Sequence, residues 1–523
     1  MPARLNIPDR NPHLLISPNL HDWLAEDDLV YFVIEAIDGM QLPQFHINGR
    51  GTGSEQYCPR MMLGLLIYCY ATGRFSSRQI EQATYRDVAV RVLCANKHPD
   101  HDTICKFRRN NKAAFEACFL RVLELAQEMK LLRVGTVSVD GTKIKASASK
   151  HAAVSYDRAG EIIKQLRLEV AALMQKAQDA DSTPLADGLS IPEEIKRREA
   201  RAAQMEKARA EIEARARERA SAQQKEYQSK VQARATRRAR GERVRGKEPT
   251  PPDETPRDKD QYNFSDPESR IMKAGSGAHF EQGYNAQAAV DAEGSMLVVG
   301  RRVTEHCNDK EELSETVDSI ARETGEVKAV IADTGYYSEK EVEKLEEAGM
   351  IAYVAVEKGH HHQSVADLEK RPDPAPLPDD ATAREKMVYR LRSKVGREIY
   401  RLRHQSVEPV FGIIKQTMGF RQFLMRGKEK VSLEWNIVTL AYNFKRLHKL
   451  SQGETQGGVC PAAAKRAEKA CKDAVRDAKA ELQSTLAADW QRLRLQFEKL
   501  MPLPRPYRTI WRACYPKLST CSR

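Results

Sequence analysis

The feature that most constrains this chain lies in its middle. Between Lys196 and Lys247 there are 18 Lys and Arg against 7 Asp and Glu, and hardly any large apolar residue. The Ala, Glu, Arg and Gln that fill this run favour helix by propensity, but a helix without an apolar stripe has little to bury. The hydrophobic cores must therefore come from what precedes and follows it. The run ends in GERVRGKEPTPPDETPRDKDQ, whose Pro and charge content reads as a linker. Upstream, Glu161 to Ala180 has apolar residues at Ile162, Ile163, Leu166, Val170, Leu173 and Met174, the narrow helical stripe of a hairpin or coiled coil. Residues 151–260 thus read as a basic helical insertion with its linker.

The net charge of that run, 18 − 7 = +11, is nearly the whole excess of a 523-residue chain whose formal charge is +12. An excess of this kind points to a polyanionic partner, nucleic acid or an anionic surface. A membrane protein is not expected: the longest nearly apolar stretch, Met61 to Ala71, is about half of the ~20 residues a membrane helix needs. The N-terminal MPARLNIPDRNPHLL lacks the basic, apolar, small-residue order of a secretory signal. Ten scattered cysteines without a CxxC pair read as reduced thiols, so a cytoplasmic setting is expected. Cys94, His98, His101 and Cys105 offer four zinc-type ligands, but their spacing matches no common structural site and reads as a turn between helices. His360, His361 and His362 read as an exposed loop.

The length suggests three or four folding units at roughly 100–200 residues each. Residues 1–132 look mainly helical, with an apolar face over Leu24–Ile37 and a buried-type helix over Arg60–Tyr70. Ser76 or Ser77 caps a helix expected through Arg91, and Asp102 or Thr103 caps the next. The second of these carries Lys106, Arg108 and Arg109, and the pair resembles a helix-turn-helix, which makes those three residues candidate DNA contacts. On either side of the insertion the period changes. Val137–Ile144, Gly283–Asp291, Ser295–Thr304, Val327–Asp333 and Ile351–Val356 read as strands, with a helix over Glu339–Ala348. Residues 133–150 and 261–450 therefore form one α/β domain split by the insertion. From Arg397 the pattern is helical again, Val431–Leu450 is amphipathic with Trp435 and Phe444 as core residues, and 451–523 reads as a helical tail.

Three carboxylates stand out. Asp140 closes the first strand, Asp333 ends the apolar run VIAD, and Glu408 lies where the helical pattern resumes. Carboxylates at strand ends of α/β proteins gather where sites assemble. Hard oxygen ligands from three distant points suit Mg²⁺ or Mn²⁺.

These residues resemble the DDE transposases of bacterial insertion sequences. VSVDGTKIKASAS resembles the first-Asp strand, VIADTGYYS the second-Asp strand and SVEPVFGIIKQTMGFRQFLMRG the Glu helix. Tyr400, Arg403, Glu408 and Lys415 match the family's Tyr-Arg-Glu-Lys motif, with the Arg-to-Glu gap one residue longer. NFSDPESRIM, QGYNAQAAVD and the Thr304/Asn308/Asp309 stretch are similar to the same group. The resemblance implies an RNase H-like catalytic core, a mixed sheet flanked by helices, with a long all-helical N-terminal domain. It implies that Asp140, Asp333 and Glu408 hold two divalent ions, Mg²⁺ or Mn²⁺, for hydrolysis at the element's ends and transfer of those ends to target DNA. Lys415, seven residues from Glu408, would bind phosphate as a point charge, and Tyr400 and Arg403 the DNA backbone.

The expected partners are the terminal repeats and target DNA, with a homodimer or larger assembly on DNA in a bacterial, nucleoid-associated setting. Two alternatives stay open at this point: an inactive transposase-derived DNA-binding protein, and a metal-dependent nuclease without strand transfer.

Overall fold

The computed structural model describes residues 19–42, 45–46, 56–179, 190–241, 248–273, 279–357 and 381–453, with 374, 377 and 378 besides. The triple histidine 360–362, the end of the basic run at 242–247 and the tail from 454 lie outside the described residues. The described residues form two compact units, one from those up to Arg133 together with 440–453, the other from those within Val134–Thr439.

The first unit is helical. Helix α1 (Leu29–Gly39) begins where the Asp28 carboxylate accepts from the Val30 N–H. Helix α2 (Pro59–Ala71) opens with proline and buries every residue from Met62 to Ala71, as a helix apolar on all sides must. Helix α3 (Ser77–Arg86) starts on a capping box of Ser76 and Gln79. It does not continue to Arg91. The chain breaks at Asp87, whose carboxylate caps helix α4 (Val88–Leu93) and is held by Arg74 at 2.6 Å. Helix α5 (His101–Asn110) is capped by Asp100, two residues before Asp102 and three before Thr103, the caps expected, and α6 (Lys112–Glu128) follows. The four residues weighed as zinc ligands serve separate ends. Cys94 is buried, His98 stacks on Tyr85 with ring centroids 4.0 Å apart, His101 pairs with Glu81, and Cys105 donates to Ser77. Among the described residues there is no disulfide, and no helix is long and apolar enough to cross a membrane.

The second unit is built on a mixed sheet. In chain order its elements are β1 (Thr136–Lys145), β2 (Ala153–Ser155), α7 (Tyr156–Asp179), α8 (Ile191–Ala239), β3 (Gln261–Asn263), β4 (Arg270–Lys273), β5 (Phe280–Asp291), β6 (Val298–Thr304), α9 (Leu313–Val317), β7 (Ala329–Ala332), α10 (Glu339–Glu347) and β8 (Ile351–Val354). Helices α11 (Ala383–Arg392), α12 (Lys394–Gln405) and α13 (Val407–Gly412) come next, then a π-helical turn at Ile413–Thr417 and α14 (Lys428–Ser451), whose residues from Leu440 count with the first unit. The strand order is β4-β5-β1-β7-β8, with β6 also on β5. Strand β1 is antiparallel to β5 and parallel to β7, and β7 is parallel to β8. Antiparallel strands on one side of β1, parallel ones on the other and helices around them make an RNase H-like core. Strand β7 is buried along its whole length, which explains why its sequence is a continuous apolar run.

The insertion is a helical hairpin. Its seam is small: Ala159 and Ile163 of α7 meet Met205, Ala208 and Ile212 of α8, with Val154 and Tyr262 at the base. Arg198 with Glu169 (2.8 Å) and Arg167 with Glu206 (2.7 Å) tie the helices across it, and Arg209 lies over the Tyr156 ring at 4.3 Å. Helix α8 has 49 residues, about 70 Å at ~1.5 Å per residue. Among the described residues, nothing beyond Ala220 on this helix is buried.

Helices α11 and α12 join tightly. Ser393 accepts from the Gly396 N–H at 3.0 Å while donating to the Arg390 carbonyl, and a Cβ on Gly396 would fall on that same carbonyl. Gly396→Ala must push the helices apart. It should destabilise the unit by about 1–3 kcal/mol, the usual cost of overpacking, read as a lower urea midpoint.

Candidate active site

Strand register brings the two aspartates together. The parallel pairing of β1 with β7 ends at Val139 opposite Ala332. The next residues are Asp140 and Asp333, on neighbouring strands about 4.8 Å apart. Strand β1 does not close at Asp140 as its sequence suggests. It runs on to Lys145 because β5 keeps pairing with it, Asp140 opposite Ala288 and Gly141 opposite Gln287. Gly141 is required at this crossing, since a Cβ there would lie 2.8 Å from Asp309 Oδ1 and closer still to the Gln287 amide. Each aspartate commits one oxygen to its own turn. Asp140 Oδ1 accepts from the Gly141 N–H (2.8 Å) and Asp333 Oδ1 from the Gly335 N–H (2.7 Å), leaving both Oδ2 atoms facing outward.

Helices α12 and α13 supply the remainder. Arg403, in the last turn of α12, places Nη2 3.3 Å from Asp140 Oδ2 and 3.7 Å from Asp333 Oδ2, and Nη1 3.0 Å from Glu408 Oε1. Three carboxylates from three distant segments thus converge on one guanidinium, whose side chain is only 13 % exposed. The longer Arg-to-Glu gap is absorbed at Ser406, which leaves helical geometry (φ −113°, ψ −83°) and separates α12 from α13. His404 Nδ1 lies 3.1 Å from the other oxygen of Glu408. Burial, helped by the Asp333 charge and opposed by Arg403, pushes the Asp140 carboxyl up to about 6.

Tyr400 packs against Ala292, Ala329, Ile331 and Tyr353, and burial raises its hydroxyl above the usual range while the nearby Arg403 charge opposes that shift. Lys415 sits in the π-helical turn, a geometry that recurs at functional sites. Its Nζ donates to the Lys143 carbonyl on β1 at 3.1 Å, and burial lowers its ammonium below the ordinary value. Trp435 and Phe444 are core residues, as their pattern suggests. Trp435 Nε1 donates to the Gln287 carbonyl at 3.0 Å and so ties α14 to β5 beneath the site.

A fourth carboxylate escapes the sequence reading as a site residue. Asp309 accepts from the amides of Asn285 and Gln287 and lies 3.2 Å from Lys143 Nζ. Gln287 in turn accepts from the buried Tyr336 hydroxyl. The signal was on β5, where Asn285 and Gln287 share one face and alternate with the small apolar Ala286 and Ala288. The candidate DNA contacts on α5 divide. Lys106 and Arg109 are exposed, whereas Arg108 is buried and donates to the Tyr70 hydroxyl at 2.8 Å.

The donor set at Asp140, Asp333 and Glu408 suits a hard divalent cation, and a positive group already lies among these oxygens. Among the described residues, no three acidic, His or Cys side chains stand close enough to share one ion in this arrangement.

Two family models match the chain: a transposase DDE domain over residues 244–444 and a second transposase domain over residues 18–110. The first takes in Asp333, Arg403, Glu408 and Lys415, and Asp140 lies upstream of it, joined to it by the sheet. No curated protein and no solved structure matches the chain significantly. An RNase H-like sheet with a DDE domain defines the class as transposases. The chain belongs to the DDE transposases of insertion-sequence type.

Asp309 generates a prediction. Asp309→Ala leaves the Gln287 amide and the Lys143 charge without this acceptor and the Asn285 amide with the His306 carbonyl alone, at about 1–3 kcal/mol for each buried group left unpaired. Its urea midpoint should fall well below that of Asp309→Asn, which keeps an acceptor oxygen.

Proposed function

We propose that this transposase binds the terminal repeats of an insertion sequence, cuts the DNA there and joins the freed ends to target DNA. Asp140, Asp333 and Glu408 are its metal ligands in this reading. The observation that carries it is the meeting of these three carboxylates, from β1, the end of β7 and α13, around one cationic group. Two bound Mg²⁺ or Mn²⁺ ions would supply an activated nucleophile and neutralise charge on the leaving oxygen. The chain's own residues do the rest. The Gly141 and Gly335 N–H groups hold the aspartates so that their free oxygens face one point. Lys415 offers phosphate a compact charge, and Tyr400 and Arg403 line the DNA backbone beside it.

In this reading residues 1–132 recognise the element's ends, residues 133–150 with 261–450 perform the chemistry, and 151–260 form an arm along DNA. Lys106 and Arg109 remain the α5 contacts, while Arg108 is assigned to packing. On α8 the first half is largely neutralised, by Glu194 for Arg197 and Arg198, Glu211 for Arg215 and Asp260 for Arg219. The excess gathers on Lys225, Lys230, Arg234, Arg237, Arg238 and Arg240, with Glu226 as the single acidic residue from Lys225 to Arg240. Counterion release makes such a stretch a sequence-independent backbone contact.

Asp140→Asn, Asp333→Asn and Glu408→Gln should each abolish cleavage and joining of end-containing DNA in Mg²⁺, with end binding in gel shifts unchanged. Wild-type cleavage by any one of them removes that residue from the site, and cleavage without joined products by the native chain reduces the function to a nuclease. Replacing Lys225, Lys230, Arg234 and Arg237 with Gln should weaken specific and random DNA by the same factor. The salt dependence should become shallower by up to ~0.9 in log–log slope per lost contact. An unchanged slope makes the arm a spacer.

A further inference from the structure

We propose that Arg403 is the site's built-in counter-cation: its guanidinium holds Asp140, Asp333 and Glu408 together, and a divalent ion must displace it to bind. This rests on the reading of those three residues as metal ligands. Both aspartates fasten Oδ1 to a backbone N–H and turn Oδ2 toward the same nitrogen, Nη2 of Arg403, at 3.3 and 3.7 Å, while Glu408 reaches Nη1 at 3.0 Å. The oxygens free to ligate an ion are therefore the ones the guanidinium occupies. They do not approach one another closely enough to share a cation while it lies between them.

Charge makes the arrangement a competition. Three carboxylates around one guanidinium leave two negative charges unbalanced, which draws a divalent ion in, yet two cationic groups a few ångströms apart repel strongly in a shielded site. The Nε of Arg403 is buried without a hydrogen-bond partner, and besides the three carboxylates the guanidinium is paired with the Tyr400 hydroxyl, so most of what fixes its terminal nitrogens is lost when a cation takes the carboxylates. A planar guanidinium fork fits phosphate as well as carboxylate, and a phosphodiester in the cleft gives the displaced group a new partner. Metal and DNA then favour each other by linkage: whatever draws Arg403 away raises metal affinity, and metal entry frees Arg403 for phosphate.

The test is a titration of Mn²⁺ into the full chain without DNA, followed by water-proton relaxation. Arg403→Gln removes the charge and should bind Mn²⁺ roughly 5- to 150-fold more tightly than the native chain, the usual span of a coupling between sites. Equal or weaker binding by the folded variant overturns the proposal. Removing one partner of a buried ion cluster sometimes unfolds a protein. In that event Mn²⁺ must restore the variant's circular dichroism, and failure to do so overturns the proposal equally. Arg403→Gln combined with Asp333→Asn separates this inference from the one beneath it. If the tighter binding survives the loss of Asp333, the carboxylates are not the ligands and both readings fall. If Asp333→Asn abolishes Mn²⁺ binding in the native background while Arg403→Gln binds no more tightly, only the counter-cation role falls.

Discussion

The pairing of β1 with β7 is the constraint on which the site depends. Neighbouring strands in parallel register carry Val139 and Ala332 opposite each other, and the two aspartates are simply the next residues. Because side chains alternate across a sheet, a slip of one residue would send one carboxylate to the opposite face. Burial defends the register. Val137, Val139, Val330, Ile331 and Ala332 are fully enclosed, so a slip would also expose or collide the apolar side chains beneath. The strand register beneath the site thus comes from core packing, and its acidic residues, which repel one another, come together only with a cation among them.

The helical half of the site is less rigidly specified. Arg403 and Glu408 are five positions apart, and on an unbroken helix their side chains would diverge in angle. The chain reconciles them by leaving helical geometry at Ser406, whose hydroxyl donates to the Leu402 carbonyl. Immediately afterwards the π-helical turn shifts the phase again and aims Lys415 at β1. Two local irregularities in about a dozen residues let a helix face a sheet edge with three functional side chains at once. Tyr400 anchors the start of this segment through its ring against the sheet.

What the sequence made legible follows from how local each feature is. The buried run of β7 and the all-apolar α2 are visible because burial on every side leaves no other pattern to read. Alternation over Val137–Ile144 gives the extent of β1 to within a residue at each end, but Asp140 does not close it: Asp140 and Gly141 look like a turn, and the 12-residue length of β5 keeps the strand going past them. The split of the α3–α4 region turns on Asp87, which in sequence is one more polar residue on a helix face and in the fold is both a cap and the partner of Arg74. Arg108 sits one turn after the buried Ile104, so it shares the inward stripe, and the Tyr70 hydroxyl that accepts from its Nη1 comes from a helix far away in sequence. Asp309 lies in a connection with no periodicity at all. Its importance is set by the Asn285 and Gln287 amides on β5 and by Lys143 on β1.

Strand β1 and its partner β5 are separated by the entire insertion, with Lys145 opposite Gly283. A loop that long closes slowly if it behaves as free chain, and a ribosome adding ~5–20 residues per second leaves β1 unpaired for many seconds. The hairpin changes the effective distance. Once α7 and α8 pair, the Tyr156 N–H donates to the Asp260 carbonyl at 2.9 Å and β2 zips against β3, so the two ends of the insertion are already side by side. The remaining search is that of a short loop. A segment that supplies none of the three carboxylates thereby holds the two halves of the catalytic sheet within reach of each other.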